Sequence, residues 1–287
     1  MSDFYNEIMA ELGNPDGKLP QNLLAQVQEK MRLLFGQPEI SASIFPYPCV
    51  IPEYREFTKG PWQLRHVPDF PHKSYFSGLM RMGMEPPVLM KNGAPWMGVT
   101  ARECESHLFH VWAAEESYNT AVVGLGMGYY PYQLVHNGVG GEITVFEIDQ
   151  NVTDLFYEST KGNARWDEVH ECLKVEHHNL LTTPYTKAQY DHCYVDIWET
   201  LAETSAEEDT ANVCKNLAAG TYSFWTQEVC YISWLADHNK DMEPHTLEEY
   251  FATILPSRPS AFGLPHDMEV DDYIALCKEA AVRAFLD

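Results

Sequence analysis

From residue 120 onward the apolar positions fall into short blocks separated by polar or amphipathic stretches. "TAVVGL" has the composition of a strand, "PYQLVHN" that of a helix, "GEITVFEID" a strand again and "QNVTDLFYEST" a helix. "CLKVEHHN" and "YDHCYVDIW" continue the series as strands, and after a further helical stretch "GTYSFWTQE" adds one more. Strands alternating with helices predict right-handed crossovers, hence a parallel sheet with helices on both faces. This α/β core is expected over about residues 117–236.

The flanks follow other periods. In "PQNLLAQVQEKMRLLF", Leu23, Leu24, Val27, Met31, Leu34 and Phe35 recur at helical spacing, so residues 20–35 predict one amphipathic helix. The next 65 residues are rich in proline and aromatics, with short strands expected around a turn at Asn92-Gly93. "TARE", Thr100 to Glu103, has the form of a capping box and opens a helix to about Glu116, with Leu108, Phe109, Val111 and Trp112 available for burial. Beyond the core, "TLEEYFATIL" and "EVDDYIALCKEAAVRAFL" both predict helices. The expected organisation is an irregular, partly β region over 1–116, the α/β core over 117–236 and a helical extension over 237–287.

Charge and composition narrow the function. The 287 residues include 42 acidic and 19 basic side chains, a net charge of −23, which repels a phosphate backbone in the absence of a basic patch. Nucleic acid is therefore not an expected partner. No apolar run approaches the roughly 18 residues of a membrane span, and the acidic N-terminus lacks the pattern of a targeting signal. No membrane association and a cytoplasmic location are the expectations. Seven scattered cysteines without a C-x-x-C pair suit reduced thiols.

The candidate chemistry centres on "VVGLGMG". A loop that leaves a buried strand for a helix brings its backbone close to whatever sits at the strand's C-terminal edge, and Gly124, Gly126 and Gly128 remove side chains there. Glu147, nineteen residues after Gly128, ends the next strand, where an acidic residue can meet ribose hydroxyls. The spacing is G-x-G-x-G rather than G-x-G-x-x-G, which favours a ligand without a pyrophosphate.

Here the chain resembles the class I S-adenosylmethionine (SAM)-dependent methyltransferases, in particular their spermidine-synthase-like branch, over about residues 90–230. "VVGLGMG" is similar to that family's first motif and "VFEIDQNV" to its second. The resemblance implies a Rossmann-like fold, SAM as cofactor, Gly124, Gly126, Gly128 and Glu147 as cofactor contacts, and Asn179 of "LKVEHHNLL" as an adenine contact. "YDHCYVDIWE" resembles the spermidine synthases' fourth strand, which gives Asp196 and Glu199 the two carboxylate positions. "NGAPWMGVTARECESH" is loosely similar to an upstream substrate element, so Glu103 and His107 become substrate contacts. A homodimer is implied by the same branch. Met127 stands where aminopropyltransferases carry an aspartate, and Thr200 follows Glu199 where they have proline.

The first expectation is accordingly a SAM-dependent methyltransferase acting on a small-molecule acceptor, with Asp196 orienting or deprotonating that acceptor and Glu199 second in the same role. Trp198, with Trp225 and Tyr129, would form an apolar wall for adenine or the acceptor. Two alternatives stay open: an aminopropyltransferase using decarboxylated SAM, and a SAM-fold binding module without catalysis. No metal is expected, because His107 and His110 share a helix face but no third ligand is apparent, and adjacent strand residues His177 and His178 point to opposite faces.

Overall fold

The computed structural model describes residues 45–285 except 49, 69–71, 74, 77–79, 82–84, 202 and 263; the helix expected at 20–35 lies outside the described residues. Short strands come first: β1 (Phe57–Lys59), β2 (Trp62–His66), β3 (His72–Lys73), β4 (Met80–Arg81), β5 (Pro87–Lys91) and β6 (Ala94–Gly98). β1, β2, β5 and β6 form an antiparallel sheet in that order, and β3 pairs with β4. The β5–β6 hairpin turns at Asn92 (φ 53°) and Gly93 (φ 83°), two left-handed residues of the kind a two-residue hairpin loop needs.

Helix α1 (Ala101–Ala113) starts where the capping-box pattern placed it: the Thr100 side chain accepts the Glu103 N–H at 3.3 Å. The core then alternates as β7 (Asn119–Val123), α2 (Tyr129–His136), β8 (Glu142–Glu147), α3 (Gln150–Thr160), α4 (Ala164–Cys172), β9 (Leu173–His177), β10 (Tyr185–Val195), α5 (Ala206–Asn216) and β11 (Leu217–Phe224). The chain ends with α6 (Gln227–His238), α7 (Pro244–Ile254), a short 3-10 turn at Pro259–Ala261 and α8 (Val270–Phe285).

All four pairings in the five-stranded sheet are parallel, in the order β11-β10-β7-β8-β9. This is a Rossmann-like α/β fold, a parallel sheet flanked by helices. Thr120–Val123 of β7 are buried, as a strand covered on both faces requires. From β7 the chain builds outward through β8 and β9, then crosses to the other side for β10 and β11, so the order reverses between β7 and β10. Open α/β sheets bind ligands at such a reversal, outside the strands' carboxyl ends.

Register fixes what stands there. Val123 pairs with Phe146 on one side and Val195 on the other, and Val195 pairs in turn with Phe224. The next residue of each strand, Gly124, Glu147, Asp196 and Trp225, therefore forms a row along one edge of the sheet.

Helix α4 is absent from the hydrophobic pattern because only Trp166 and Val169 of "ARWDEVHEC" are buried. Trp166 anchors it: the indole is fully buried against Tyr54, Tyr132 and Phe156, and its Nε1 donates to the Glu53 carbonyl at 2.9 Å. One large aromatic in a dense site outweighs a weak periodicity.

Candidate functional site

The row of strand ends floors a cavity of about 710 Å³, within the roughly 300–1,000 Å³ of small-molecule sites. The antiparallel sheet contributes Trp62, Leu89, Lys91, Trp96 and Met97 to its wall, and α1 contributes Glu103 and His107. Of the residues singled out in the sequence, Gly124, Gly126, Glu147, Asn179, Asp196, Glu199, Glu103, His107 and Trp198 all line it.

Gly128 does not. It sits at φ 71° as the N-cap of α2, and a Cβ there would lie 2.3 Å from Phe156 Cε2, inside the core. The other two glycines also answer to the protein itself. A Cβ on Gly124 (φ 94°) would meet the Asp196 carbonyl oxygen at 2.0 Å, and one on Gly126 (φ 51°) would meet Met97 Sδ at 2.6 Å. All three missing side chains therefore also make room for neighbouring protein atoms, while the backbone of Gly124 and Gly126 still lines the cavity.

Glu147 is nearly buried and its carboxylate is shaped by backbone donors. Oε1 accepts from the N–H groups of Ile148 and Asp149, both at 2.8 Å, and Oε2 accepts from Leu125 N–H at 3.0 Å. A carboxylate offers about four acceptor positions, so Oε2 keeps one for a ligand hydroxyl. Two residues on, Asp149 caps α3 through Asn151 N–H (2.9 Å) and accepts Trp62 Nε1–H at 2.7 Å. Burial works to raise the Asp149 pKa, but the hydrogen bonds from Trp62 and Asn151 and the charge of Lys91 outweigh it and hold the group below its ordinary value. Lys91 Nζ lies over the rings of Trp62 (4.8 Å) and Trp96 (4.4 Å). Nothing in the sequence pattern marked Trp62, Lys91, Trp96 or Asp149, because strands β2, β5 and β6 of the antiparallel sheet, well upstream of the glycine turn, bring the first three to the site.

Asn179 uses its side-chain oxygen to accept Leu181 N–H at 3.0 Å, which orders the loop after β9. His178 is tied by Nε2 to the Thr183 carbonyl oxygen (2.9 Å), and His177 is exposed.

The two carboxylates Asp196 and Glu199 behave differently from one another. Glu199 is exposed at the rim, whereas Asp196 Oδ2 lies 3.1 Å from Nε2 of His107, an imidazole that is 1% exposed. The other ring nitrogen, Nδ1, is 2.7 Å from the Glu103 carbonyl oxygen, so Nδ1 carries a proton and Nε2 faces Asp196. Burial works against charge on His107, yet the Asp196 hydrogen bond and the charges of Glu103 and Asp196 raise its pKa. The Glu103 carboxyl is pushed up to about 7, chiefly by burial, with His107 pulling it down and Asp196 pushing it up. Trp225 Nε1 donates to Ser106 Oγ at 3.0 Å, and Ser106 Oγ donates to the Glu103 carbonyl at 2.8 Å, which fixes this turn of α1 beneath the cavity. Trp198 is pinned at the rim by donation from Nε1 to Asp209 Oδ2 at 3.0 Å.

His110 does not join His107. It packs tilted against Tyr194 with centroids 4.6 Å apart, both of its ring nitrogens are buried without a hydrogen-bond partner, and burial lowers its pKa well below the ordinary value.

No family model and no curated protein matches the chain. Similar solved structures include the glycopeptide N-methyltransferase MtfA complexed with S-adenosylhomocysteine, at 15% identity and TM-score 0.32, covering 42% of this chain and 50% of that one. The CcbJ methyltransferase from Streptomyces caelestis is 15% identical with TM-score 0.32, covering 42% and 46%. The [4+2]-cyclase SpnF is 14% identical with TM-score 0.32, covering 42% and 44%. The chain thus spans about half the length of these structures.

Proposed function

We propose that the protein is a SAM-dependent transferase that moves a methyl group to a small-molecule acceptor. The observation that supports the reading most is the row Gly124, Glu147, Asp196: register puts one carboxylate on either side of one backbone turn, and we read Glu147 as the ribose contact and Asp196 as the acceptor contact. The residues fit an adenosyl ligand, since Glu147 has one acceptor position left, Gly124 and Gly126 bring bare backbone to the wall, and Asn179 and Ile148 border the β8–β9 side.

When bound, SAM supplies an electrophilic methyl group on a sulfonium. Asp196, held by His107, orients the acceptor and takes the proton its heteroatom loses as the new bond to carbon forms. Glu199, at the rim, has the same chemistry at longer reach. Trp198 and Trp225 exclude water from that end. The part of the wall from α1, the β10–α5 connection and the start of α5 carries Glu103, Asp196, Glu199, Glu203 and Asp209 and no Lys or Arg among the described residues, which suits a cationic acceptor such as an amine.

The same acidic wall favours a second reading. Decarboxylated SAM has no α-carboxylate to place there, so aminopropyl transfer fits the charge, while Met127 and Thr200 depart from the motifs of enzymes that perform it. A SAM-binding module without turnover is the third. Calorimetry with SAM, decarboxylated SAM and NAD separates them. SAM binding followed by turnover of an amine supports methyl transfer, preference for the decarboxylated form supports the second reading, and binding of NAD alone overturns all three.

The net charge of −23 argues for a small-molecule partner over nucleic acid. Among the described residues no helix is long and apolar enough to cross a membrane. A cytoplasmic location and a homodimer complete the proposal; light scattering on the purified chain tests the latter.

A further inference from the structure

We propose that Glu103, His107 and Asp196 bind one divalent metal ion at the inner end of the cavity, of the zinc or manganese class. Each residue offers one ligand atom, and the three atoms lie within 4.8 Å of one another. They come from two elements that the fold holds rigidly: α1, where Glu103 and His107 are four residues apart on one face, and the end of β10.

The imidazole is oriented as a ligand. Nδ1 is fixed as a donor by the Glu103 carbonyl at 2.7 Å, which leaves Nε2 for Asp196 Oδ2, its partner in a 3.1 Å hydrogen bond that an ion would replace. A backbone carbonyl on the second nitrogen is the usual support of a metal-bound histidine. Nε2 and Oδ2 are 3.1 Å apart, close to the roughly 3.0–3.4 Å between neighbouring ligands on an ion with bonds of about 2.0–2.2 Å. The Glu103 carboxylate stands beside the other ring nitrogen, Oε1 3.9 Å from Nδ1, and must turn toward Nε2 to complete the set.

Charge points the same way. Two carboxylates with side chains only 13% and 18% exposed face each other across one imidazole, and no Lys or Arg among the described residues lines that end of the cavity. A 2+ ion balances the pair, which a single imidazolium cannot do. One nitrogen and two carboxylate oxygens favour zinc, manganese or ferrous iron over magnesium or calcium. Three protein ligands leave coordination positions open toward the cavity. An acceptor nitrogen or oxygen bound there would be positioned and made more acidic, a role that rests on the transfer reading; the site itself does not.

The test is titration of the full chain, freed of metal by chelator and without SAM, with Zn²⁺, Mn²⁺ and Mg²⁺ followed by calorimetry. One ion per chain is expected, with Zn²⁺ and Mn²⁺ tighter than Mg²⁺ and affinity reduced at least about tenfold in Glu103→Gln and in Asp196→Asn. The exposed trio Glu115, His266 and Asp267 is the control, and His266→Ala should leave binding unchanged. Should either amide variant fail to fold, ¹⁵N NMR of the wild-type histidines decides, since Zn²⁺ must shift Nε2 of His107. Absence of saturable binding, binding indifferent to both amide variants, binding lost in His266→Ala, or an unshifted His107 overturns the proposal. SAM binding without metal binding overturns only this inference; metal binding without SAM binding overturns only the transfer reading.

Discussion

His107 and Asp196 are 89 residues apart in the chain and 3.1 Å apart in the fold. The contact joins the helix that precedes the parallel sheet to the end of a strand beside its centre, so one pair of side chains ties α1 to the row of strand ends that floors the cavity.

Asp196→Ala removes the carboxylate and leaves the glycine turn and Glu147 in place. Turnover of an identified acceptor should fall at least about 100-fold, while calorimetric affinity for SAM stays within a few-fold of wild type. Unchanged turnover would rule out the role given to Asp196.

Glu147→Gln puts an amide where three backbone N–H groups now find acceptors. Oε1 and Oε2 cannot both remain acceptors, so one N–H loses its partner at a cost of about 1–3 kcal/mol. The expected result is a lowered urea midpoint together with SAM affinity weakened at least about tenfold. If affinity holds while stability drops, Glu147 serves only the loop.

Gly124→Ala and Gly138→Ala both place a side chain on a left-handed backbone, at φ 94° and φ 68°, but only the first collides with backbone, 2.0 Å from the Asp196 carbonyl oxygen; nothing lies within 4 Å at Gly138. Unfolding experiments should show about 1 kcal/mol lost at Gly138 and about 3 kcal/mol or more at Gly124. Equal losses would refute the packing explanation of the glycine turn.

Glu228 on α6 is fully buried, with Tyr75 Oη donating to Oε2 at 3.4 Å and no partner for Oε1. Burial raises its pKa to about 8. Below pH 4.5 both folded and unfolded states are protonated at this group and its neutral form contributes fully. Between pH 4.5 and 8 the unfolded chain releases the proton and the folded chain keeps it, so stability falls by about 1.4 kcal/mol per pH unit. Glu228→Gln stays neutral and should flatten that decline in urea unfolding at pH 5.5, 6.5 and 7.5. Parallel curves for the two proteins would show that Glu228 is not held neutral.

The strands of the core were legible because β7, β8 and β10 end in buried apolar runs, and α1 because Thr100 announces its start. α4 was not, since two buried residues make no period. At the site, nine of the ten residues drawn from motifs line one cavity, because strand ends recur at fixed intervals along an alternating chain. Gly128 resisted the same logic: its reason is Phe156, a contact across the core that no local pattern encodes. Glu228 resisted too. In "WTQE" it reads as a polar residue after a strand, and only the packing of α6 shows it to be sealed in.

Asp149 closes α3 at its start and takes the Trp62 indole with its other oxygen. Its neighbour but one is Glu147, whose Oε1 holds the Asp149 N–H. The Asp149 carboxylate is one tie between the antiparallel sheet and the Glu147 end of the cavity, beside the Lys59–Asp154 ion pair from β1 to α3 at 2.8 Å, and a ligand that drew Glu147 toward itself would tug on the wall facing it. What occupies the cavity at Glu147 would thus be felt, through Asp149, by the indole on its opposite wall.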